Sequence, residues 1–188
     1  MMKSSSHERL LTVCEGAICI ALSYTLSFFR FKLWGQGGSI DAVMVPLLIF
    51  AHRRGAGWGT AAGLIFGTLK CFFAGGFAWG WQSILLDYSL AYGAVGLGGL
   101  MRRLPHGLPL GAVLASILRF GVHFFSGVTI YAILGPEELF SVTYTSPALY
   151  SLVYNGSYML ANLLLAVALC LLLERPLSRL NPRTDRKA

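Results

Sequence analysis

Charged residues are scarce in this sequence: Asp, Glu, Lys and Arg make up 12% of the 188 residues, about half the roughly 25% usual in a soluble domain. Several enzyme motifs are also missing. The sequence has no G-x-x-x-x-G-K-[ST] phosphate loop, no H-E-x-x-H zinc motif and no assignable Ser, His and Asp triad. The composition excludes an ordinary cytosolic enzyme, and the missing motifs leave no ATP-binding machinery. We expect neither catalysis nor a cofactor.

The four cysteines also give no indication of a disulfide, a metal site or a catalytic thiol. Cys14, Cys19, Cys71 and Cys170 all lie in apolar runs, with no C-x-x-C and no histidine at ligand spacing. We interpret them as small core residues and expect no disulfide or metal site. The net charge of +7 comes without a basic stripe interleaved with polar residues, so nucleic acid is not an expected partner.

Long apolar runs are what the sequence has in abundance, with 55% hydrophobic residues and a mean hydropathy of +0.64. A helix needs about 20 apolar residues to cross a bilayer. Apolar length and the breaks between runs predict helices at about 10–29, 41–52, 57–74, 80–101, 109–134 and 148–173. The second is too short to span upright and contains Pro46. We therefore predict an all-α integral membrane protein, with residues 1–188 forming one bundle of six helices.

The positive charges predict the orientation of this bundle. If both termini are cytoplasmic, that side holds 11 of the 15 Lys and Arg residues, and the opposite loops hold only Arg30 and Lys32. Cytoplasmic loops are normally enriched in Lys and Arg. Both termini are therefore predicted to be cytoplasmic, with a basic tail at 174–188.

Ionisable side chains within membrane helices are costly and therefore candidates for function. Asp87 lies beside Tyr88, and a carboxylate among aromatic rings suits an organic cation. The alternative is that Asp87 forms a structural ion pair with Arg119 or Lys70. Lys70 and Glu15 lie nearer the helix ends, where we expect them to reach the membrane interface.

The fifth and sixth predicted helices contain further candidate ligand-binding residues. Arg119, His123, Gly127 and Tyr131 recur every four residues and so share one face, where glycine would admit a ligand close to the backbone. His123 is otherwise a packing residue or a proton relay. On the last helix, Asn155 needs polar partners, whereas Tyr150 suits either a site or the interfacial aromatic belt. Together these residues predict an outward-facing aromatic pocket with one carboxylate.

Small residues form two stripes. Glycines recur at positions 55, 59, 63 and 67, and Ala17 and Ala21 form a shorter stripe on the first helix. Such stripes let helix backbones approach closely in lipid. They indicate either packing within the chain or docking of another membrane protein.

Four segments, in chain order, resemble the ThiT/YuaJ family, the thiamine-specific substrate-binding (S) components of energy-coupling factor (ECF) vitamin transporters. They are QGGSI, LLDYSLAYGAVGLGGL, LRFGVHFFSGVTIY and YSLVYNGSYML. The resemblance implies a six-helix S-component fold in the plasma membrane of a prokaryote, surrounded by lipid, that captures thiamine from outside. It also implies partners: a transmembrane coupling protein and two cytoplasmic ATPases.

The resemblance further implies roles for individual residues. The thiamine-binding positions would be Asp87, Tyr88, His123, Gly127, Tyr131, Tyr150 and Asn155, with Trp34 as a lid aromatic. Ala17 and Ala21 would contact the coupling protein. The chain departs from the family at Asp87, where relatives often have glutamate, and at Tyr131, where the family has tryptophan. The alternatives are an S component for another vitamin or for the precursor hydroxymethylpyrimidine, and a stand-alone proton-coupled carrier.

Overall fold

The computed structural model describes residues 2–34, 37–73, 81–134, 137–139 and 142–180. These residues form six helical segments and two short antiparallel hairpins. The helices are α1 (Met2–Leu26), α2 (Met44–Arg54), α3 (Ala56–Phe73), α4 (81–103), α5 (Gly107–Leu134) and α6 (Pro147–Leu180). The hairpins are β1 (Phe31–Trp34) with β2 (Gly37–Ile40), and β3 (Glu137–Leu139) with β4 (Val142–Tyr144). The predicted helical architecture is confirmed, and the hairpins are an addition that the apolar pattern did not indicate.

In the part of the chain that the structure describes, four helices are long and apolar enough to cross a membrane. The corresponding segments are Ser6–Leu26, Ile84–Arg103, Gly107–Ile130 and Pro147–Arg179. The 11-residue α2 is about 16 Å long at 1.5 Å per residue, roughly half the hydrocarbon thickness. The predicted short second helix is therefore present, whereas a crossing by all six helices stays a prediction.

The last helix extends further than expected. We assigned residues 174–188 to a tail, but α6 continues through Pro176 to Leu180. Leu177 packs against the hydrophobic core cluster, and this contact favours continuation of the helix in spite of the proline. The remaining part of the predicted tail, 181–188, lies outside the described residues.

The fourth helix changes its winding along its length. A short α-helical turn at Trp81–Ser83 leads into a π-helical segment at Ile84–Leu90, then an α-helical turn at Ala91–Val95 and a 3₁₀ segment at Gly96–Arg103. At the end of the π-helical segment, the N–H of Ala91 donates to the carbonyl of Leu86, five residues back. Such segments are rare and often occur at functional sites. Here the segment contains Asp87.

The glycine stripe of α3 packs within the chain. A Cβ added at Gly63 would lie 2.0 Å from the carbonyl oxygen of Tyr92, and one at Gly67 would lie 2.2 Å from that of Tyr88. Both carbonyls belong to α4. Gly55 has a different role, because its φ of 97° ends α2 in a conformation that side chains rarely adopt. Of the two interpretations of this stripe, internal packing is the one that the structure supports.

The core surrounds α2, which packs against α1, α3, α4 and α5. Most of its side chains are buried, which a short helix achieves only when neighbours cover all its sides. The backbone N–H of Asp41, just before α2, donates to Oδ1 of Asn162 near the middle of α6. The chain thus leaves the β1–β2 hairpin inside the bundle, where α2 begins.

Candidate ligand-binding site

The site is built around the carboxylate of Asp87 on the π-helical segment of α4. Its Oδ2 accepts a hydrogen bond from Ser83 Oγ at 2.8 Å, and its Oδ1 lies 3.0 Å from Nδ1 of His123 on α5. The Asp87 side chain is 22% exposed. Among the described residues, neither Arg119 nor Lys70 forms an ion pair with it, so the structural ion pair considered above is not observed. Beyond these two contacts, each carboxylate oxygen has a second lone pair.

Asp87 also determines how His123 is presented. An ionised carboxylate only accepts hydrogen bonds, so Nδ1 of the imidazole carries the proton and donates it. In the neutral imidazole, the other ring nitrogen, Nε2, is then an acceptor. It is buried and has no hydrogen-bond partner among the described residues. With its imidazole neutral, His123 places a nitrogen acceptor beside the Asp87 carboxylate.

Asn155 connects the two long helices at this level. Its Nδ2 donates to the carbonyl oxygen of His123 and to Ser151 Oγ, both at 3.1 Å, and its Oδ1 accepts from Tyr158 at 2.8 Å. Both amide N–H groups are thus engaged within the protein. One lone pair on Oδ1 remains available.

Gly127 permits this close contact between α5 and α6. A Cβ at position 127 would lie 2.4 Å from Ser151 Oγ and 2.8 Å from Asn155 Nδ2. The space beside this glycine is therefore occupied by side chains of α6. In this structure Gly127 admits a neighbouring helix at the position where we expected it to admit a ligand.

Aromatic rings line one stripe of α6 beside the imidazole. Tyr150 and Tyr154 are stacked with centroids 5.7 Å apart, and Tyr154 and Tyr158 meet edge to face at 5.9 Å. Tyr158 in turn contacts His123 with centroids 6.2 Å apart. These rings form a continuous aromatic wall of the kind that favours flat or cationic ligands.

A buried polar network lies at the level of Arg119, one helical turn before His123 on α5. Lys70 is 6% exposed; its Nζ donates to Tyr92 OH at 2.6 Å and pairs with Asp41 at 3.4 Å. The expectation that Lys70 reaches the membrane interface was therefore wrong, because a buried carboxylate and hydroxyl satisfy its ammonium inside the bundle. Arg119 also donates to Tyr92 OH, at 3.1 Å. Glu15, in contrast, pairs with Arg53 and Arg54.

For the remaining predicted residues, the structure describes the position in a helix or strand but fewer side-chain contacts. Tyr88 lies half-buried on the π-helical segment, and Ala17 and Ala21 are exposed on α1. Trp34 lies in β1 and Tyr131 in α5, but their side chains are outside the described part of the structure. Of the predicted binding residues, the structure brings Asp87, His123, Gly127 and Asn155 together through the contacts above.

Some residues of the site were missed by the sequence reasoning. Ser83 precedes Asp87 by four residues, so helical spacing could have identified it. Tyr92 lies in the segment LLDYSLAYGAVGLGGL quoted above, but its hydroxyl was not among the predicted site residues. Asp41 and Asn162 are separated by 121 positions, and no local pattern signals such a pair.

Comparison with known proteins shows which family this arrangement belongs to. Residues 13–181 match the family described as thiamine transporter protein (Thia_YuaJ). The chain belongs to this thiamine transporter family. Among its curated relatives, the thiamine transporter ThiT of Bacillus subtilis (strain 168) is 28% identical over 181 residues, covering 88% of this chain and 91% of that protein. ThiT of Lacticaseibacillus paracasei is 24% identical over 180 residues, covering 86% of this chain and 85% of that protein.

Solved structures share the fold. ThiT from Listeria monocytogenes superposes with a TM-score of 0.77 at 21% identity, covering 94% of this chain and 98% of that structure. The S component of a bacterial ECF transporter gives a TM-score of 0.63 at 14% identity, covering 92% and 98%. This chain therefore has the S-component fold and is a membrane protein.

Proposed function

We propose that this chain is the thiamine-binding S component of an ECF-type importer. The observation that carries the proposal is the Asp87 carboxylate within the membrane-spanning bundle. It is held by His123 and Ser83, it has no cationic partner such as Lys or Arg among the described residues, and it lies next to the aromatic wall. A permanently cationic ring is the partner that this arrangement lacks. Thiamine supplies one in its thiazolium.

The aminopyrimidine half of thiamine suits the acceptors nearby. Its exocyclic amino group donates two hydrogen bonds, and His123 Nε2 and the free lone pair of Asn155 Oδ1 are acceptors on adjacent helices. Tyr150 belongs to the aromatic wall, on which the ring stacks. We assign Tyr88, Tyr131 and the lid residue Trp34 to the same site. Gly127 contributes to the site by letting α6 bring Asn155 close to His123.

Isothermal titration of the purified chain tests this assignment. We expect thiamine to bind with a Kd below about 1 µM, and hydroxymethylpyrimidine, which lacks the thiazolium, to bind at least tenfold more weakly. Equal affinity for both would favour a precursor transporter, because Asp87 would then have no role in binding. If titration with micromolar thiamine released no heat of binding, the proposal would be contradicted.

The energising partners follow from the same proposal. An S component without ATP-binding motifs needs the transmembrane coupling protein and two cytoplasmic ATPases, in the plasma membrane of a prokaryote with both termini of this chain cytoplasmic. On α1, Ala17 and Ala21 are exposed beside Ile18 and Leu22, which are also largely exposed. A small-residue stripe flanked by apolar side chains suits close packing of another membrane helix. We assign the coupling protein to this surface.

Reconstitution into liposomes tests this docking surface. We expect thiamine uptake only when the energising proteins and ATP are present, and Ala17→Trp or Ala21→Trp to abolish uptake while leaving the Kd for thiamine within about twofold. Leu164→Trp, at an exposed apolar residue of α6 away from the stripe, is the control for a bulky residue on the outside of the bundle. Loss of thiamine binding in the alanine variants would show that the stripe stabilises the bundle itself. Uptake driven by a pH gradient alone would instead establish a proton-coupled carrier.

A further inference from the structure

The end of α6 presents two arginines on the outer face of the bundle. Leu177 packs against the hydrophobic core cluster, and at about 100° per residue Arg175 and Arg179 point to the opposite side of the helix. Both arginines are exposed, and among the described residues no carboxylate forms an ion pair with either. The adjacent acid, Glu174, lies 2.9 Å from Nδ1 of His106 instead. Like charges four residues apart on a helix repel each other, so an anion between them would be stabilising.

These arginines follow the point where α6 leaves the apolar part of the membrane. The run LLLAVALCLLL at 163–173 has no charged residue, and Glu174 is the first one after it. Glu174 pairs with His106, whose side chain is 75% exposed, in the turn between α4 and α5. Charged groups are costly in hydrocarbon, so this pair lies on the polar side of the boundary. Arg175 and Arg179 therefore lie at the level of the lipid headgroups.

An open groove lies at this boundary. Its described lining consists of Leu172, Arg175, Pro176 and Arg179. Leu172 precedes the boundary and is 71% exposed, whereas both arginines follow it. The groove is thus apolar at one end and cationic at the other. An anionic phospholipid has the complementary structure, with an acyl chain next to a negatively charged phosphate.

The composition of the chain at this end also favours an anionic lipid. Residues 175–188 contain five basic residues and one acidic residue: Arg175, Arg179, Arg183, Arg186 and Lys187, and Asp185. Clusters of about four to eight Lys and Arg residues beside a membrane helix are typical of binding to anionic lipid. Another membrane helix suits this face less well, because Leu171–Arg179 contains neither glycine nor alanine.

We propose that Leu172, Arg175 and Arg179 form a binding site for one anionic phospholipid of the leaflet at this end of α6. The phosphate lies between the two guanidinium groups, which have several N–H donors for its oxygens. The acyl chain covers Leu172. A zwitterionic headgroup fits less well, because its own ammonium is repelled by the arginines. The site is separate from Asp87, so the inference goes beyond the proposed function and does not depend on it.

Native mass spectrometry of the purified chain tests this site by titration with phosphatidylglycerol and with phosphatidylcholine of the same acyl chains. We expect wild type to bind one phosphatidylglycerol about tenfold or more tightly than phosphatidylcholine. Arg175→Gln and Arg179→Gln should each weaken phosphatidylglycerol binding about fivefold, and together about 20-fold, with phosphatidylcholine binding unchanged. Arg9→Gln removes the same charge at an exposed position on α1 and is the control, with an expected change within about twofold.

Three outcomes would overturn the lipid site. If Arg9→Gln weakens phosphatidylglycerol binding as much as Arg175→Gln does, the lipid responds to net charge and to no particular position. If millimolar inorganic phosphate displaces the lipid completely, the groove binds a free anion. If wild type does not prefer phosphatidylglycerol, but the double variant loses ATP-driven thiamine uptake, the arginines contact a partner protein. The Kd for thiamine should be the same in wild type and the double variant, so the two proposals are tested by separate measurements.

Discussion

Replacing Asp87 by asparagine is expected to weaken thiamine binding roughly 100-fold or more. Asparagine keeps the size of the side chain but removes the charge that faces the thiazolium. Leaving one member of a buried ion pair without its partner costs about 3–5 kcal/mol, and each 1.4 kcal/mol is a factor of ten in Kd. Isothermal titration of wild type and Asp87→Asn measures the difference directly.

Two further variants control for packing at this position. Asp87→Glu keeps the charge and should retain most of the affinity. Ser83→Ala removes one hydrogen bond to the carboxylate, at 2.8 Å in the structure, and should cost only about 1 kcal/mol, or roughly fivefold in Kd. If Asp87→Asn binds thiamine as tightly as wild type, the carboxylate is not the thiazolium partner and the proposed site is wrong.

Replacing Gly63 by leucine is expected to prevent folding of the bundle. The new Cβ would lie 2.0 Å from the carbonyl oxygen of Tyr92 and 2.7 Å from its carbonyl carbon. These are backbone atoms of α4, so no rotamer change relieves the clash and the two helices must separate. Overpacking usually costs about 1–3 kcal/mol, and a direct backbone clash exceeds that range. Size-exclusion chromatography in detergent should show loss of the monodisperse species, with a large fall in Tm for any protein recovered.

Gly57 provides the matched control on the same helix. It is exposed, and a Cβ there would have no atom within 4 Å. Gly57→Leu should therefore behave as wild type in elution volume and Tm. If Gly63→Leu did so too, α3 and α4 would not pack through their glycines as described.

The candidate site could be predicted in part from the sequence. Asp87, His123 and Asn155 were each identified because a polar group in an apolar run needs a reason, and the structure joins them through direct hydrogen bonds. Their neighbours were harder to predict. The π-helical winding at Ile84–Leu90 was not predicted, because no residue type in this segment is specific to a π-helix.

Lys70 shows why such predictions fail. Its position near a helix end is compatible both with an interfacial lysine and with a buried one. The decision depends on Asp41, which lies 29 positions away and is placed by Asn162 on another helix. The neighbour of Gly127 is also set by packing between helices, because a Cβ there would meet Ser151 of α6.

The sequence by itself determined the helices, the short second segment and the residues that share each helical face, because hydrophobic length and the 3.6-residue period are local properties of the chain. Only the tertiary structure decided which faces meet. It buried Lys70 against Asp41, filled the space beside Gly127 and brought Arg119 to the hydroxyl of Tyr92. Those outcomes depend on contacts between helices that are far apart in the sequence. A buried polar group forms its hydrogen bonds with the partners that the packing of those helices places next to it.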